Sequence, residues 1–346
     1  MGSELALALS RRLSAGFRPH SKNLALAPTE NKGPRVSLSL VPAVMIGINI
    51  RHWYLVNDGA ARRDRLFRPR ADGWATMMRR ITPLFAAVFS LALLGGAAAG
   101  PLEDGQAAYR HGDYATAMRL LRPLADQGDA SAQFGLGLMY VTGRGVPQDD
   151  AQGAAWYRKA AEQGDATAQL DLGSMYFKGQ GVPQDYAQAV AWYRKAAQQG
   201  DAWAQNNLGM MYDEGRGVPQ DYAQAVVWYR RAAEQGDADA QVSLGYMYAK
   251  GRGLPKNDAQ AIVWFRKAAE QGLAAGQFDL GVHYFDGEGV PQDYVLAHMW
   301  FNLAASGAKT DEARERFVKL RGEVAAKMTS AQIAEAQRMA REWKPK

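Results

Sequence analysis

Few side chains in the 346-residue chain have the types and spacing that chemistry needs. His283 has Asp279 and Asp286 at helical spacing on either side, an arrangement that could hold a metal ion or exchange a proton. No Ser, His and Asp order and no pair of carboxylates typical of a hydrolase accompanies this group. Because an isolated His/Asp group is more often a solvated surface feature, the sequence predicts no catalytic residue, no metal ion and no cofactor. The chain also has no cysteine, which excludes disulfides, Cys-ligated metal sites and Cys nucleophiles.

Two recurring patterns resemble ligand sites but are explained better by local geometry and packing. The Gly-x-Gly loops lack the third glycine of a nucleotide-binding loop and follow a helical pattern rather than a strand. Stacked helices lie ~8–10 Å apart, too far for two thioethers on neighbouring helices to share one metal ion. We therefore predict that the regularly spaced methionines belong to the core. They are Met139, Met175, Met211 and Met247.

One motif recurs along the chain with a constant step of 36 residues. It reads Gly-Arg-Gly-Val-Pro-Gln-Asp from Gly143 and returns, with small changes, at Gly179, Gly215, Gly251 and Gly287. A leucine, a tyrosine and a tryptophan keep the same step, beginning with Leu136, Tyr140 and Trp156. Five units fill residues 131–306, and such self-similarity is the signature of a repeat array.

Each unit is predicted to be a helix–loop–helix pair. Ala168, Leu172 and Tyr176 lie on one face of a helix, and after the loop Trp192 and Ala196 lie on one face of a second helix. Residues that start and end helices flank both faces. The predicted N-terminal caps are Asp149, Asp165, Asp185, Asp201, Asp221, Asp237 and Asn257, and the predicted C-terminal glycines are Gly164, Gly200, Gly236 and Gly272.

One helix pair cannot bury its tryptophan, tyrosine and leucine alone, so each unit must cover the apolar face of its neighbour. An array of this kind needs terminal units with a polar outer side. We expect a degenerate capping repeat over residues 100–130. We expect two capping helices, at 311–327 and 331–343, within residues 307–346.

The repeat resembles a known family. Residues 168–197 read Ala-x-x-x-Leu-Gly-x-x-Tyr-x-x-Gly-x-Gly-Val-x-x-Asp, followed by Ala-x-x-Trp-Tyr-x-Lys-Ala-Ala, which is similar to the Sel-one-like repeat. That family is related to the tetratricopeptide repeat, so the resemblance implies an all-α, right-handed α-solenoid of stacked helix–loop–helix repeats. It also implies protein–protein scaffolding or adaptor roles rather than one activity. Some secreted relatives carry a disulfide in each repeat, and this chain departs from that branch.

The basic charge of the chain, +6 overall, is confined to its first part. Residues 1–76 contain 12 Lys or Arg and 5 Asp or Glu, whereas residues 77–346 contain 29 and 30. Residues 1–76 show no sustained period, and we expect them to be disordered or an over-long reading of the gene. Because the repeat array itself is not basic, no nucleic-acid partner is expected.

Residues 77–99 are typical of a secretory signal peptide. Arg79 and Arg80 precede an apolar run over residues 81–94, and small residues follow, so we predict cleavage after Ala99. The run of 14 residues is short for a membrane-spanning helix, which needs ~20. No stable membrane insertion is therefore expected after cleavage, although an uncleaved anchor is the alternative.

Positions that vary between repeats are candidates for recognition, because stacking does not dictate their residue types. We refer to them as the variable strip, and they belong mostly to the first helix of each pair. Such helices line the concave side of related solenoids, so the strip is predicted to bind a peptide or protein, with Trp203 and Tyr246 as anchors. The strip comprises Leu170, Asp171, Ser174, Trp203, Asn206, Asn207, Met210, Val242, Ser243, Tyr246, Phe278, Asp279, Val282 and His283.

The sequence thus predicts a non-catalytic interaction scaffold in the periplasm of a bacterium or outside the cell. One alternative is an envelope enzyme acting on cell-wall material, which would use His283 or Asp279. Another is a membrane-anchored adaptor that keeps residues 81–94. The sequence leaves the identity of the partner and the oligomeric state open.

Overall fold

The computed structural model describes residues 100–345, and over this range it contains fourteen α-helices and no strand. Consecutive helices contact each other along the chain, and the result is an all-α repeat solenoid, which confirms the predicted fold class. The helices are α1 (Pro101–Arg110), α2 (Tyr114–Asp126), α3 (Ala130–Thr142), α4 (Asp150–Glu162), α5 (Ala166–Lys178), α6 (Tyr186–Gln198), α7 (Ala202–Glu214), α8 (Tyr222–Glu234), α9 (Ala238–Lys250), α10 (Asp258–Glu270), α11 (Ala274–Asp286), α12 (Tyr294–Ser306), α13 (Asp311–Ala325) and α14 (Ser330–Glu342).

The predicted helix starts and ends are confirmed. Asp165 accepts a hydrogen bond from the backbone N–H of Ala168 at 2.7 Å, and the six other predicted caps make the equivalent bond. Gly164 has φ +99°, and the three later glycines at this position are also left-handed. The first helix of a pair ends on a second kind of glycine, such as Gly179 at φ +69°. These caps pair N–H and C=O groups that would otherwise have no hydrogen-bond partner at each helix terminus.

Glycines allow the helices of a pair to approach closely. A Cβ placed on Gly173 would lie 2.8 Å from Cδ1 of the Tyr193 ring, so only glycine leaves room for this tyrosine. Gly181 in the following loop lies against the backbone of Asp150, at the start of the second helix of the preceding pair. The first contact joins helices within a repeat, and the second joins one repeat to the next.

Glutamines build a polar ladder through the solenoid that the sequence pattern did not predict. Gln169 donates to the carbonyl of Ala161 at 3.0 Å, and its own amide oxygen accepts from Gln199 at 2.8 Å. The same two bonds recur around Gln133, Gln205 and Gln241. Because the side chains of these glutamines are buried, paired amides are needed to offset the loss of water.

A second ladder joins an arginine of four second helices, α4, α6, α8 and α10, to the tyrosine hydroxyl of the next first helix. Arg194 donates to Tyr212 at 3.0 Å, and the bond recurs at the matching pairs in the neighbouring repeats. The predicted core methionines are buried, at 0–4% exposure. Polar and apolar contacts therefore follow the same 36-residue step.

The two capping helices cover the last repeat. The Phe317 ring in α13 stacks on Phe278 at 4.7 Å, and Trp343 meets Trp300 edge-on at 6.1 Å. Both predicted helices exist, with ends within two residues of those expected. In the N-terminal pair, which lies within the capping repeat expected over residues 100–130, α2 continues through Pro123 to Asp126, because its buried face continues to Ala125.

The predictions for residues 1–76 and 77–99 lie outside the described residues. Between residues 100 and 345, no helix has the length and apolarity needed to cross a membrane.

Candidate protein-binding surface

The variable strip divides into a buried and an accessible group. Both groups lie on the first helices of the pairs. The same position of the repeat can be buried in one repeat and accessible in another. The buried residues are Leu170, Asp171, Ser174, Val242, Tyr246, Phe278, Asp279 and His283. The accessible or partly accessible residues are Trp203, Asn206, Asn207, Met210, Ser243 and Val282.

Tyr246 was expected to be an exposed anchor, and that expectation is wrong. Its side chain is 1% exposed, its ring packs edge-on against Phe265 at 5.3 Å, and its hydroxyl donates to Asp279 at 2.7 Å. Phe278 is likewise buried, between Phe301 and Phe317. Residue types vary at these positions because the neighbouring side chains vary, so the variation reflects packing as well as recognition.

His283 is also buried, at 5% exposure, which corrects its assignment to the solvated surface and to the accessible strip. Its Nδ1 lies 2.9 Å from the carbonyl oxygen of Glu288, and its ring lies 5.4 Å from Phe265. Burial, followed by the charge of Glu288, raises the pKa of the neighbouring Asp286. Asp279 accepts the hydroxyl of Tyr246, so the His283 and Asp279 side chains invoked for an enzyme both take part in internal contacts. In the part of the chain that the structure describes, no three His, Asp or Glu side chains are grouped closely enough to hold a metal ion.

The accessible group is concentrated on α7. Trp203 is 36% exposed, an unusual value for so large an apolar side chain in this protein. Asn206, Asn207 and Met210 follow it on α7 and are partly exposed. Ser243, at the position of Asn207 in the next repeat, extends the surface to α9. An exposed tryptophan beside adaptable polar side chains is the composition of a protein-binding surface.

Asp171 lies on the neighbouring first helix, α5, and is 4% exposed. Burial raises the pKa of Asp171 to about 7, and the negative charges of Asp201 and Asp165 act in the same direction. The buried hydroxyl of Tyr157 on α4 lies beside this carboxylate and acts on it as a hydrogen-bond donor, which opposes the rise in the pKa of Asp171. Sequence reasoning did not single out Tyr157, although comparison with Phe265 in a later repeat could have drawn attention to it.

The protein is thus an all-α repeat solenoid with a mixed aromatic and polar surface. These features are typical of repeat scaffolds. The chain belongs to the Sel1 repeat family. The family model matches six segments, one more than the five predicted units, because it also covers the degenerate first pair. The segments are residues 91–129, 130–165, 166–201, 204–237, 238–273 and 274–308. Members of this family generally mediate protein–protein interactions and are typically non-enzymatic scaffolds.

Two solved structures resemble the chain over most of its length. One is c5321, a protective antigen of uropathogenic Escherichia coli with an SLR fold, at 39% identity, a TM-score of 0.61 and 73% coverage of this chain. The chain spans 55% of that antigen's length. The other is a Sel1 repeat protein from Oxalobacter formigenes, at 33% identity and a TM-score of 0.61, covering 70% of this chain and 97% of its own. A comparison with curated proteins found no match.

Proposed function

We propose that this protein is a non-catalytic scaffold that binds an extended segment of a partner protein along its first-helix side. The accessible surface around Trp203 on α7 is the observation that carries this proposal. Solenoids use extended concave surfaces for such binding, and a tryptophan within a polar surround is a frequent energetic anchor. The binding surface comprises the accessible part of the variable strip, and the buried residues support it from beneath.

Affinity capture from periplasmic extract, followed by mass spectrometry, would identify partners, and purified partner would then be titrated against variants. Trp203→Ala is expected to weaken binding by about tenfold or more, and Asn207→Ala by less, because tryptophan anchors dominate interfaces. Val263→Ala is the matched control, since Val263 is 44% exposed on a second helix, α10. Equal affinities for Trp203→Ala, Asn207→Ala and Val263→Ala would contradict the proposal.

We further propose that the protein is exported to the periplasm or beyond and works in the bacterial envelope. The support is the sequence of residues 77–99, with its basic start, apolar centre and small residues before Ala99. Intact-mass analysis of the natural protein is expected to place the mature N-terminus at Gly100. A protein that keeps residues 81–94 and fractionates with membranes would favour the anchored adaptor instead.

A further inference from the structure

His298, on α12, occupies a core position at which the earlier repeats have a hydrocarbon side chain. The matching residues of the four preceding second helices are Ala154, Val190, Val226 and Ile262. All of them are buried, and His298 is buried as well, at 3% exposure. An imidazole therefore replaces the hydrocarbon in the last repeat, which is the repeat that the C-terminal cap, formed by α13 and α14, covers.

The imidazole lies on the side of α12 that faces α13. Asn302, one turn after His298, accepts a hydrogen bond from Nη1 of Arg321 on α13 at 2.5 Å. Residues four apart lie on the same face of a helix, so His298 is directed toward α13 as Asn302 is. Burial lowers the pKa of His298, and the positive charge of Arg321 lowers it further. The histidine therefore belongs to the contact between the last repeat and its cap.

The surroundings of His298 suit a neutral imidazole. Its Nδ1 atom is buried and has no hydrogen-bond partner. A protonated imidazole has two N–H donors, so protonation would leave a buried donor unpaired and place a second positive charge near Arg321. Of the titratable side chains on the described helices packed against α12, which are α11, α13 and α14, Arg321 alone acts on the pKa of His298. The other side chains that α13 buries in this contact, such as Phe317 and Val324, are apolar.

We propose that His298 makes the docking of α13 on the last repeat dependent on pH. The neutral imidazole allows α13 to pack on α12, and the protonated one drives it off. Because the pKa of His298 is below its ordinary 6.5 in the docked state, the stabilisation is present above pH 6.5 and is lost as the pH falls below it. Detachment uncovers Phe278, on which Phe317 stacks, so the array presents this aromatic end only in acid. The proposal does not depend on the surface around Trp203.

Hydrogen exchange of the full purified protein at pH 7.5 and pH 5.0, followed by mass spectrometry, tests the proposal. Protection factors, which correct for the intrinsic pH dependence of exchange, are compared between peptides from α13 and peptides from α8 as an internal reference. In the wild type, the protection of α13 is expected to fall about tenfold more than that of α8, as for one pKa unit of difference between the docked and detached states. In His298→Val, which copies Val190 and Val226, α13 and α8 are expected to change alike.

Two other histidines supply matched controls. His283→Met places in α11 the residue that Met247 provides in the preceding repeat, and it removes the other buried imidazole of the last repeat. His111→Gln changes an exposed histidine in the N-terminal pair. Both variants are expected to keep the tenfold difference between α13 and α8.

Arg321→Gln tests the role of the neighbouring charge. Glutamine can still donate to Asn302, but it carries no charge, so the difference between α13 and α8 is expected to shrink without disappearing, because burial of His298 has the larger effect.

Two results would overturn the proposal. One is an undiminished difference between α13 and α8 in His298→Val, which would assign the pH dependence to another group. The other is an equal fall for both helices in the wild type, which would be a response of the whole array. Thermal melts check that His298→Val is folded, and His298→Ile, which copies Ile262, serves if valine leaves a cavity.

Discussion

At the scale of single residues, the same position of the repeat receives different hydrogen bonds in different repeats. Asp279 accepts the hydroxyl of Tyr246 from the preceding first helix, whereas Asp171, in the same repeat position, has leucine at the matching donor position. The difference arises because the donor position holds tyrosine in one repeat and leucine in the other. Identical positions of a repeat can therefore differ in the hydrogen bonds that their side chains receive.

Asp171→Asn is expected to become more stabilising as the pH rises. The pKa of Asp171 is raised to about 7 from an ordinary value of 3.8, so the native state binds this proton more tightly than the unfolded state. The wild type should lose stability as pH rises through about 7, whereas asparagine does not titrate. Between about pH 5 and pH 8 the difference in free energy of unfolding should grow by roughly 1–3 kcal/mol in favour of the variant. Urea denaturation of both proteins at both pH values measures this difference.

Gly181→Ala should destabilise the protein far more than Gly164→Ala. Both glycines have positive φ, but a Cβ on Gly181 would overlap the carbonyl of Asp150, whereas a Cβ on Gly164 meets nothing within 4 Å. We expect a loss of ~3 kcal/mol or more for Gly181→Ala and about 1 kcal/mol for Gly164→Ala. Equal shifts in denaturation midpoint for the two variants would show that this contact between repeats does not contribute to stability.

At the scale of helices, the second helix of each pair starts in the same way whatever its sequence context. Asp185 caps α6 by accepting from the N–H of Gln188 at 2.9 Å, and Asn257 does the same for α10 at 3.0 Å. The first helices of the repeats are capped by aspartate in the same way, except α11. Leu273 precedes α11 without a side-chain cap, and it packs against the core instead. Capping and burial are thus alternative means of holding a helix start.

Asp185→Ala should cost about 0.5–2 kcal/mol of stability, since alanine cannot accept the Gln188 N–H. Asp185→Asn should cost much less, because Asn257 makes the same bond in a later repeat. Thermal unfolding of the three proteins at one pH is the measurement. Comparable losses for alanine and asparagine would assign the effect to charge and not to the capping bond.

At the scale of the whole molecule, each repeat is stabilised by contacts with its neighbours, so the apolar face of the last repeat must be covered by something else. The glutamine ladder joins repeats through buried and part-buried hydrogen bonds, and the arginine–tyrosine ladder joins them through bonds that are mostly exposed. α13 and α14 close the array by covering Phe278 and Trp300. The apolar face of the last repeat is therefore buried without another repeat to pack on it.

Phe317→Ala should cost about 3–5 kcal/mol, because the ring is 3% exposed and stacks on Phe278 in the last repeat. Val318→Ala, at the adjacent and 40% exposed position, should change stability by about 0.5 kcal/mol or less. Chemical denaturation of both variants measures the contrast. A small effect for Phe317→Ala would mean that α13 does not seal the array.

The sequence alone determined the repeat, the pairing of helices and nearly every helix end. These features depend on local physics, namely helical faces that recur at i, i+3 and i+4 and caps within three residues of the helix they start. Tertiary structure decided which variable positions are open to a partner. Tyr246 and Met210 share one repeat position, yet the first is buried and the second is partly exposed. Burial there depends on side chains that lie far away in the sequence, as when Asp279 receives the hydroxyl of Tyr246 from 33 residues earlier, and no local pattern contains that information.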